Sequence, residues 1–351
     1  MDALMAELEY YGSEDYIFDT IYIGGGSPSF INTELIQSIF EGIHRSLTVS
    51  KNSEVTIEVN PGQLTREKLQ AYMGLGINRL SIGMQSFNDS LLKLMGRIHK
   101  VKDSIDCYRL ARENGFTNIS LDLIFALPGQ TLKDWIYSLN KALSLNPEHI
   151  SFYALQIEEG TPFYNQINKG SIEAASDYLD RKMYHKAIEM LSERGYHHYE
   201  ISNGAMPGCE SCHNMKYWSM TDYLGVGLGS HSYIQGTRFS NEDNLWRYIE
   251  LSKEHRGKNF GAGQSPWVTF SHKNTKRDEM AEYMFTGLRK VEGINIGDFI
   301  DRFGISPLQY YRGPIEKWFK EGLLVPDGEK GMVYLTLKGL DLFNSVLIDF
   351  I

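Results

Sequence analysis

Five short apolar runs, each ending in a polar or glycine-rich tip and separated by helical stretches, constrain this chain more than any other feature. They are DTIYIGGGSPS (19–29), SEVTIEVNP (53–61), NRLSIGMQSF (78–87), NISLDLIFALPGQ (118–130) and HISFYALQIEEG (149–160). Their starts lie a few dozen residues apart, the length of a strand–helix unit, so the pattern predicts a parallel α/β barrel. In such sheets ligands bind at the carboxyl ends of the strands, where loops converge and helix N-termini point inward. The tips here carry Gly24–Gly26, Glu58, Gln85, Asp122 and Gln156. Such a set suits a polar small molecule.

With 351 residues the chain can bury a large core, as one barrel domain with smaller appendages. The net charge of −9 and the lack of a Lys/Arg-rich stripe argue against a nucleic-acid partner. No apolar run approaches the roughly 20 residues that span a bilayer. The acidic, amphipathic start MDALMAELEYYGSEDY is unlike a signal or transit peptide. Three cysteines, Cys107, Cys209 and Cys212, do not make a disulfide framework. A cytoplasmic protein is expected.

Residues 2–12 read as an amphipathic helix with Leu4, Leu8 and Tyr11 on one face. Further helices are predicted at 32–47, 64–74, 101–114, 131–145 (with Thr131 as N-cap) and 173–194. A strand is predicted at 196–203, then a loop rich in Gly, Pro, Cys and Asn over 203–216. YLGVGLGSHSY (223–233) has too many glycines for a solid element and reads as backbone packed closely against something. Helices near 243–255 and 277–290 follow. The tail predicts helix, helix, hairpin with a turn at Asp327-Gly328, and helix, a small winged-helix-like module.

Several motifs carry chemistry. Gly24-Gly25-Gly26-Ser27-Pro28 follows a strand, and its glycines let backbone approach a charged ligand with no Cβ in the way. It lacks the GxGxxG spacing and the P-loop lysine. A plain tight strand–helix turn is the simpler alternative. Glu58 at a strand tip can accept hydrogen bonds from an amine or from ribose hydroxyls. Gln85 ends the next strand, Arg97 lies in MGRIH, and Asp122 sits inside an apolar strand where a bare charge is costly. Each alone is more often structural; together at one rim they point to a mixed-charge ligand. Cys209-Glu210-Ser211-Cys212-His213 matches the covalent c-type haem pattern, but that chemistry needs export. A redox pair and a zinc site fit no better. Non-covalent coordination of an iron porphyrin by His213 is the middle case. In His213-Asn214-Met215-Lys216-Tyr217-Trp218 the aromatics suit a macrocycle, and equally a hydrophobic core.

The blocks IYIGGGSPS, EVNP, RLSIGMQSF, GRIH, LDLIFALPGQT, YEISN, HNMKYW and YLGVGLGSHS, in this order, resemble the radical S-adenosylmethionine (SAM) family. Within it they resemble the branch of oxygen-independent coproporphyrinogen III oxidase and the HemW-type haem chaperones. HNMKYW looks like the HNxxYW signature of the chaperones. The resemblance implies an α/β fold: a partial (β/α)6 radical-SAM-type parallel barrel missing its first strand, with a C-terminal α+β winged-helix-like module. It divides the chain into 1–165 (barrel core), 166–295 (barrel completion and haem-associated region) and 296–351 (C-terminal module).

By the same resemblance Gly25, Gly26 and Ser27 hold the amino-acid end of S-adenosylmethionine, and Glu58, Gln85, Arg97 and Asp122 are further contacts. His213, Asn214, Tyr217 and Trp218 are the haem candidates. Haem and recipient haem proteins are the implied partners. Family members also carry a CxxxCxxC loop whose thiolates hold a 4Fe-4S cluster. The three cysteines here are spaced otherwise, so no cluster ligand is assigned. A start placed late or a truncated chain is the expected explanation, with a cluster-less, non-catalytic paralogue as the alternative. The rival activity is the coproporphyrinogen oxidase itself.

Overall fold

A computed structural model describes residues 1–12, 16–255 and 265–351. Residues 13–15, inside the acidic N-terminal stretch, and 256–264 lie outside the described residues. The chain forms two compact units: Tyr22–Thr33 with Glu54–Glu210, and Met1–Ile21 with Glu34–Ser53 and Ser211–Ile351.

A curled, parallel-rich half-barrel sheet dominates the first. Its strands are β1 (Ile17–Ile23) and β2 (Thr48–Val59), both shared with the other unit, then β3 (Arg79–Gln85), β4 (Ile119–Phe125), β5 (His149–Ala154), β6 (His197–Glu200) and β7 (Asn203–Ala205). The strand order is β1-β2-β3-β4-β5-β7-β6. β2 through β5 pair in parallel, whereas β7 runs antiparallel to both β5 and β6. The predicted strand at 196–203 is therefore two short strands with a reversal between them. The intervening helices form where the periodicity places them. Thr131, for example, caps Leu132–Ser144 in a reciprocal capping box with Asp134. The predicted helix at 173–194 is shorter, Asp177–Ser192, and a separate helix, Pro162–Asn168, precedes it.

Strand alternation decides which side carries the core. Val55, Ile57, Leu80, Ile82, Leu121, Leu123, Ile150 and Phe152 are all buried. At the ends of this apolar face Phe125 stacks obliquely on Trp135 and Phe152 on Tyr184, which ties β4 and β5 to two helices. Trp135 is fully buried, and its indole N–H donates to the Met183 carbonyl at 2.8 Å. The other face of the same strands is polar.

The second unit contains two small antiparallel sheets. One is β8 (His231–Ile234), β9 (Thr237–Asn241) and β10 (Val268–Lys273). The other is β11 (Ile294–Asn295), β12 (Leu324–Asp327) and β13 (Met332–Leu335), in the order β11-β13-β12. With helices Ile296–Phe303 and Arg312–Lys320 this second sheet makes the expected C-terminal α+β module. Helix Asp2–Tyr11 packs through Ala3 into a cluster with Tyr248, Leu251 and Trp267.

The glycine-rich segment 223–233 does pack closely. A Cβ on Gly225 would lie 2.2 Å from the His231 carbonyl oxygen. The Gly227 N–H donates to Glu7, whose carboxylate is wholly buried and also accepts from Tyr248 Oη and Asn241 Nδ2, both at 2.5 Å.

Candidate functional site

On the polar face of the half-barrel, side chains from four strands stand in register. Thr56 faces Arg79, Glu58 faces Ser81, Ser81 faces Ser120, Ser120 faces His149, and Asp122 faces Ser151. At the centre is Asp122. Ser81 Oγ donates to its carboxylate, 2.8 and 3.1 Å from the two oxygens, and Ser120 Oγ donates at 3.2 Å. Removal from water pushes this carboxyl up, and the serine hydroxyls oppose that rise. Burial holds His149 well below its ordinary value, so the ring is neutral. Its Nδ1 lies 2.8 Å from Ser120 Oγ and its Nε2 2.8 Å from Tyr199 Oη. One direction of donation satisfies the whole chain: Tyr199 to His149, His149 to Ser120, Ser120 to Asp122.

Nearer the carboxyl ends of the strands, Glu58 accepts from Tyr22 Oη at 3.0 Å and from the Gly25 backbone. Desolvation raises its carboxyl, and the charge of Asp122 raises it further. Tyr22 is pushed up chiefly by burial and therefore stays a neutral donor. A Cβ on Gly24 would fall 2.9 Å from Glu58 Oε1, so the first glycine of the triplet makes room for the carboxylate. Gly25 and Gly26 face open space.

Asn60 is the hub of this rim. Its Nδ2 donates to Ser27 Oγ at 2.8 Å, its Oδ1 accepts from Arg97 Nη1 at 3.3 Å, and its backbone N–H donates to Ser29 Oγ at 3.0 Å. Burial lowers the pKa of Arg97, which is still far too basic to lose its charge. Gln85 adopts a left-handed backbone (φ 62°) where the β3–β4 register shifts. This turns its carboxamide back over Gly83, so that a Cβ there would lie 2.7 Å from Gln85 Nε2 and 3.6 Å from Asn60 Oδ1.

Asn60 thus joins Ser27 to Arg97, with Gln85 folded over the neighbouring Gly83, while Glu58 is held by Tyr22 and the Gly25 backbone with Asp122 within electrostatic reach. Gln156 is exposed beyond β5 and joins none of them. Tyr22 and Asn60 were not singled out from sequence. Each had a signal: Tyr22 shares the polar face two residues before Gly24, and Asn60 sits two residues after Glu58 in EVNP.

The haem candidates lie in the other unit, on a helix rather than in the predicted 203–216 loop. Ser211 Oγ caps helix Cys212–Trp218 by accepting from the Asn214 N–H at 3.3 Å. Both ring nitrogens of His213 are engaged: Nδ1 lies 2.9 Å from Thr20 Oγ1 and Nε2 2.8 Å from Tyr217 Oη. Lys216 pairs with Asp19 at 2.7 Å. Tyr217 meets Tyr223 edge to face at 4.7 Å. The Trp218 ring lies under the Arg289 guanidinium, 4.5 Å from its centroid, and the same guanidinium lies 5.0 Å from the Phe343 ring. His213, Asn214, Tyr217 and Trp218 are all half-buried.

Comparison with known proteins then fixes the lineage. Residues 1–142 match the radical SAM superfamily and residues 274–342 the HemN C-terminal domain. The chain is 40% identical to the heme chaperone HemW of Bacillus subtilis, over 95% of this chain and 85% of that protein. The chain belongs to the HemW haem-chaperone family of the radical SAM superfamily. It is also 32% identical to the heme chaperone HemW of Lactococcus lactis, over 100% of this chain and 89% of the relative. In fold it matches the coproporphyrinogen III oxidase HemN of Escherichia coli with a TM-score of 0.82, at 22% identity, covering 99% of this chain and 82% of that one.

Membership of a radical SAM family implies S-adenosylmethionine and a 4Fe-4S cluster. The donor set of the rim is compatible with the first: Glu58 offers a desolvated, glycine-seated carboxylate to a cationic group, and Gln85, Ser27 and Arg97 offer further donors and acceptors. Among the described residues no three His, Cys, Asp or Glu side chains cluster as a metal site. Cys107 is buried, with its thiol pushed up to about 12 by desolvation. No helix among the described residues is long and apolar enough to cross a membrane.

Proposed function

We propose that this chain acts as a HemW-type haem chaperone of the cytoplasm, binding S-adenosylmethionine and haem and passing haem to recipient haem proteins. The observation that carries the reading is the likeness to heme chaperones of two bacteria over 95% and 100% of this chain, supported by the polar rim of the half-barrel. In this reading Gly25, Gly26 and Ser27 receive the amino-acid end of S-adenosylmethionine. Glu58 accepts hydrogen bonds from its ammonium or ribose hydroxyls, and Gln85, Arg97 and Asp122 complete the enclosure. Asn60 holds Ser27 and Arg97 at a fixed separation.

For haem, the helix Cys212–Trp218 offers His213 as the iron ligand. Because both imidazole nitrogens already have partners, ligation requires Nε2 to release Tyr217 Oη, or Nδ1 to release Thr20 Oγ1. Haem titration followed at the Soret band tests this. His213→Ala is expected to abolish the shift. Tyr217→Phe, which unties Nε2, is expected to strengthen binding severalfold. A Soret shift unchanged in His213→Ala removes the helix from the proposal.

A further inference from the structure

After β5 the chain makes its longest excursion at the carboxyl ends of the strands. Residues 155–176 separate β5 from helix Asp177–Ser192, whereas only 60–65, 86–88 and 126–131 separate β2, β3 and β4 from the helices that follow them. Connections longer than about 12–15 residues are uncommon in a compact domain and usually serve a site. This one starts beside the polar face: Ser151 faces Asp122, and Gln156 follows five residues later, on the order of 15 Å along the strand direction.

The Leu155 N–H donates to the Phe125 carbonyl at 2.9 Å and ties the start of the segment to the sheet. Beyond that bond nothing polar holds it. Every hydrogen bond of residues 156–175 stays inside the segment, and none of their side chains pairs with a charge elsewhere among the described residues. No residue from 155 to 176 is buried, whereas the next helix, Asp177–Ser192, buries Met183, Tyr184, Ala187, Met190 and Leu191.

The segment nevertheless contains a finished rigid piece. Helix Pro162–Asn168 opens on proline, and Thr161 Oγ1 caps it by accepting from the Tyr164 N–H at 3.3 Å. Phe163, Tyr164 and Ile167 share one face and are half-buried, so apolar contact without direction seats the helix. Gly160 (φ 82°) and Gly170 (φ 68°) bracket it in left-handed backbone, and a Cβ on either would meet nothing within 4 Å. A preformed helix between two unhindered glycines can move as one body with no outside hydrogen bond to break. Its charge suits the rim's ligand. Glu158, Glu159 and Glu173 stand against Lys169, while S-adenosylmethionine carries a sulfonium and an ammonium against one carboxylate.

We infer that residues 156–175 are a lid whose helix swings about Gly160 and Gly170 and closes over the rim when a cationic ligand fills it. Gln156, which joins none of the rim residues, belongs to this lid. The inference rests on the reading of the rim as the S-adenosylmethionine site.

Hydrogen–deuterium exchange of the wild-type chain, read peptide by peptide with and without saturating S-adenosylmethionine, tests it. The amides of 156–175 are expected to exchange far faster than those of β3 to β5 in the free protein, and about tenfold more slowly once ligand is bound. Peptides covering 24–30, 58–63 and 83–98 should gain protection with them. Protection of those rim peptides with unchanged exchange over 156–175 overturns the lid and leaves the rim reading standing. No protection at either place overturns both. A variant with 161–169 replaced by a Gly-Ser repeat is expected to fold, since the segment buries no residue, and to release labelled S-adenosylmethionine about tenfold faster. An unchanged release rate also overturns the lid. Should that variant fail to fold, the exchange experiment on the wild-type chain decides.

Discussion

Replacing Glu7 by Gln should change how the stability of this protein depends on pH. Glu7 is wholly buried, its three donors are neutral, and the groups acting on it are Tyr248, Asn241 and the Gly227 backbone, with no cation among them. Desolvation therefore raises its carboxyl from 4.5 to about 7, against the lowering by those hydrogen bonds. A group whose pKa is higher when folded binds its proton more tightly in the native state. Its contribution is fully present below about 4.5 and is lost as pH rises through about 7. At ~1.4 kcal/mol per pH unit the full span is roughly 3 kcal/mol, of which about 2.5 kcal/mol falls between pH 5 and 8. The Gln variant is neutral throughout and lacks this slope. Urea unfolding of both proteins at pH 5, 6, 7 and 8 measures the difference. Stability of the wild type relative to Glu7→Gln should fall steadily across that range. A difference that stays flat, or rises with pH, refutes the account of an uncompensated buried carboxyl.

Two further substitutions separate the faces of the half-barrel. Gly83→Ala places a methyl against Gln85 Nε2 and should weaken S-adenosylmethionine binding about tenfold, the worth of one hydrogen bond; equilibrium dialysis with unchanged affinity would remove Gln85 from the rim. Trp135→Ala empties a fully buried indole site and loses the bond to Met183, and should cost about 3–5 kcal/mol in chemical denaturation.

The regular elements were legible because their periodicity and caps are local. The alternation in EVTIEV and ISLDLIF already set Glu58 and Asp122 opposite the apolar residues, and Thr131 announced its helix. What escaped depends on distant partners. Helix Cys212–Trp218 was hidden by a loop-like composition that a single serine cap overrides. β7 is only three residues long and exists because β5 and β6 flank it. The left-handed turn at Gln85 follows from a shift in the β3–β4 ladder, which no glycine marks. Glu7 lies on the helix predicted at 2–12, and its burial arises from Gly227, Asn241 and Tyr248, all more than 200 residues away. The rim residues suggested by resemblance were visible singly, but not the contacts of Tyr22 with Glu58 and of Asn60 with Ser27 and Arg97.

A sheet that is oily on one side and hydroxyl-lined on the other divides its tasks by residue parity. Odd positions of β4 anchor the fold to its helices, and even positions are released from that duty. Mutational drift on the even positions can retune which molecule is held, at the cost of a buried hydrogen bond where Ser120 or Asp122 is the residue changed. Damage to the odd positions should instead surface as lost protein, with ligand preference intact in whatever survives.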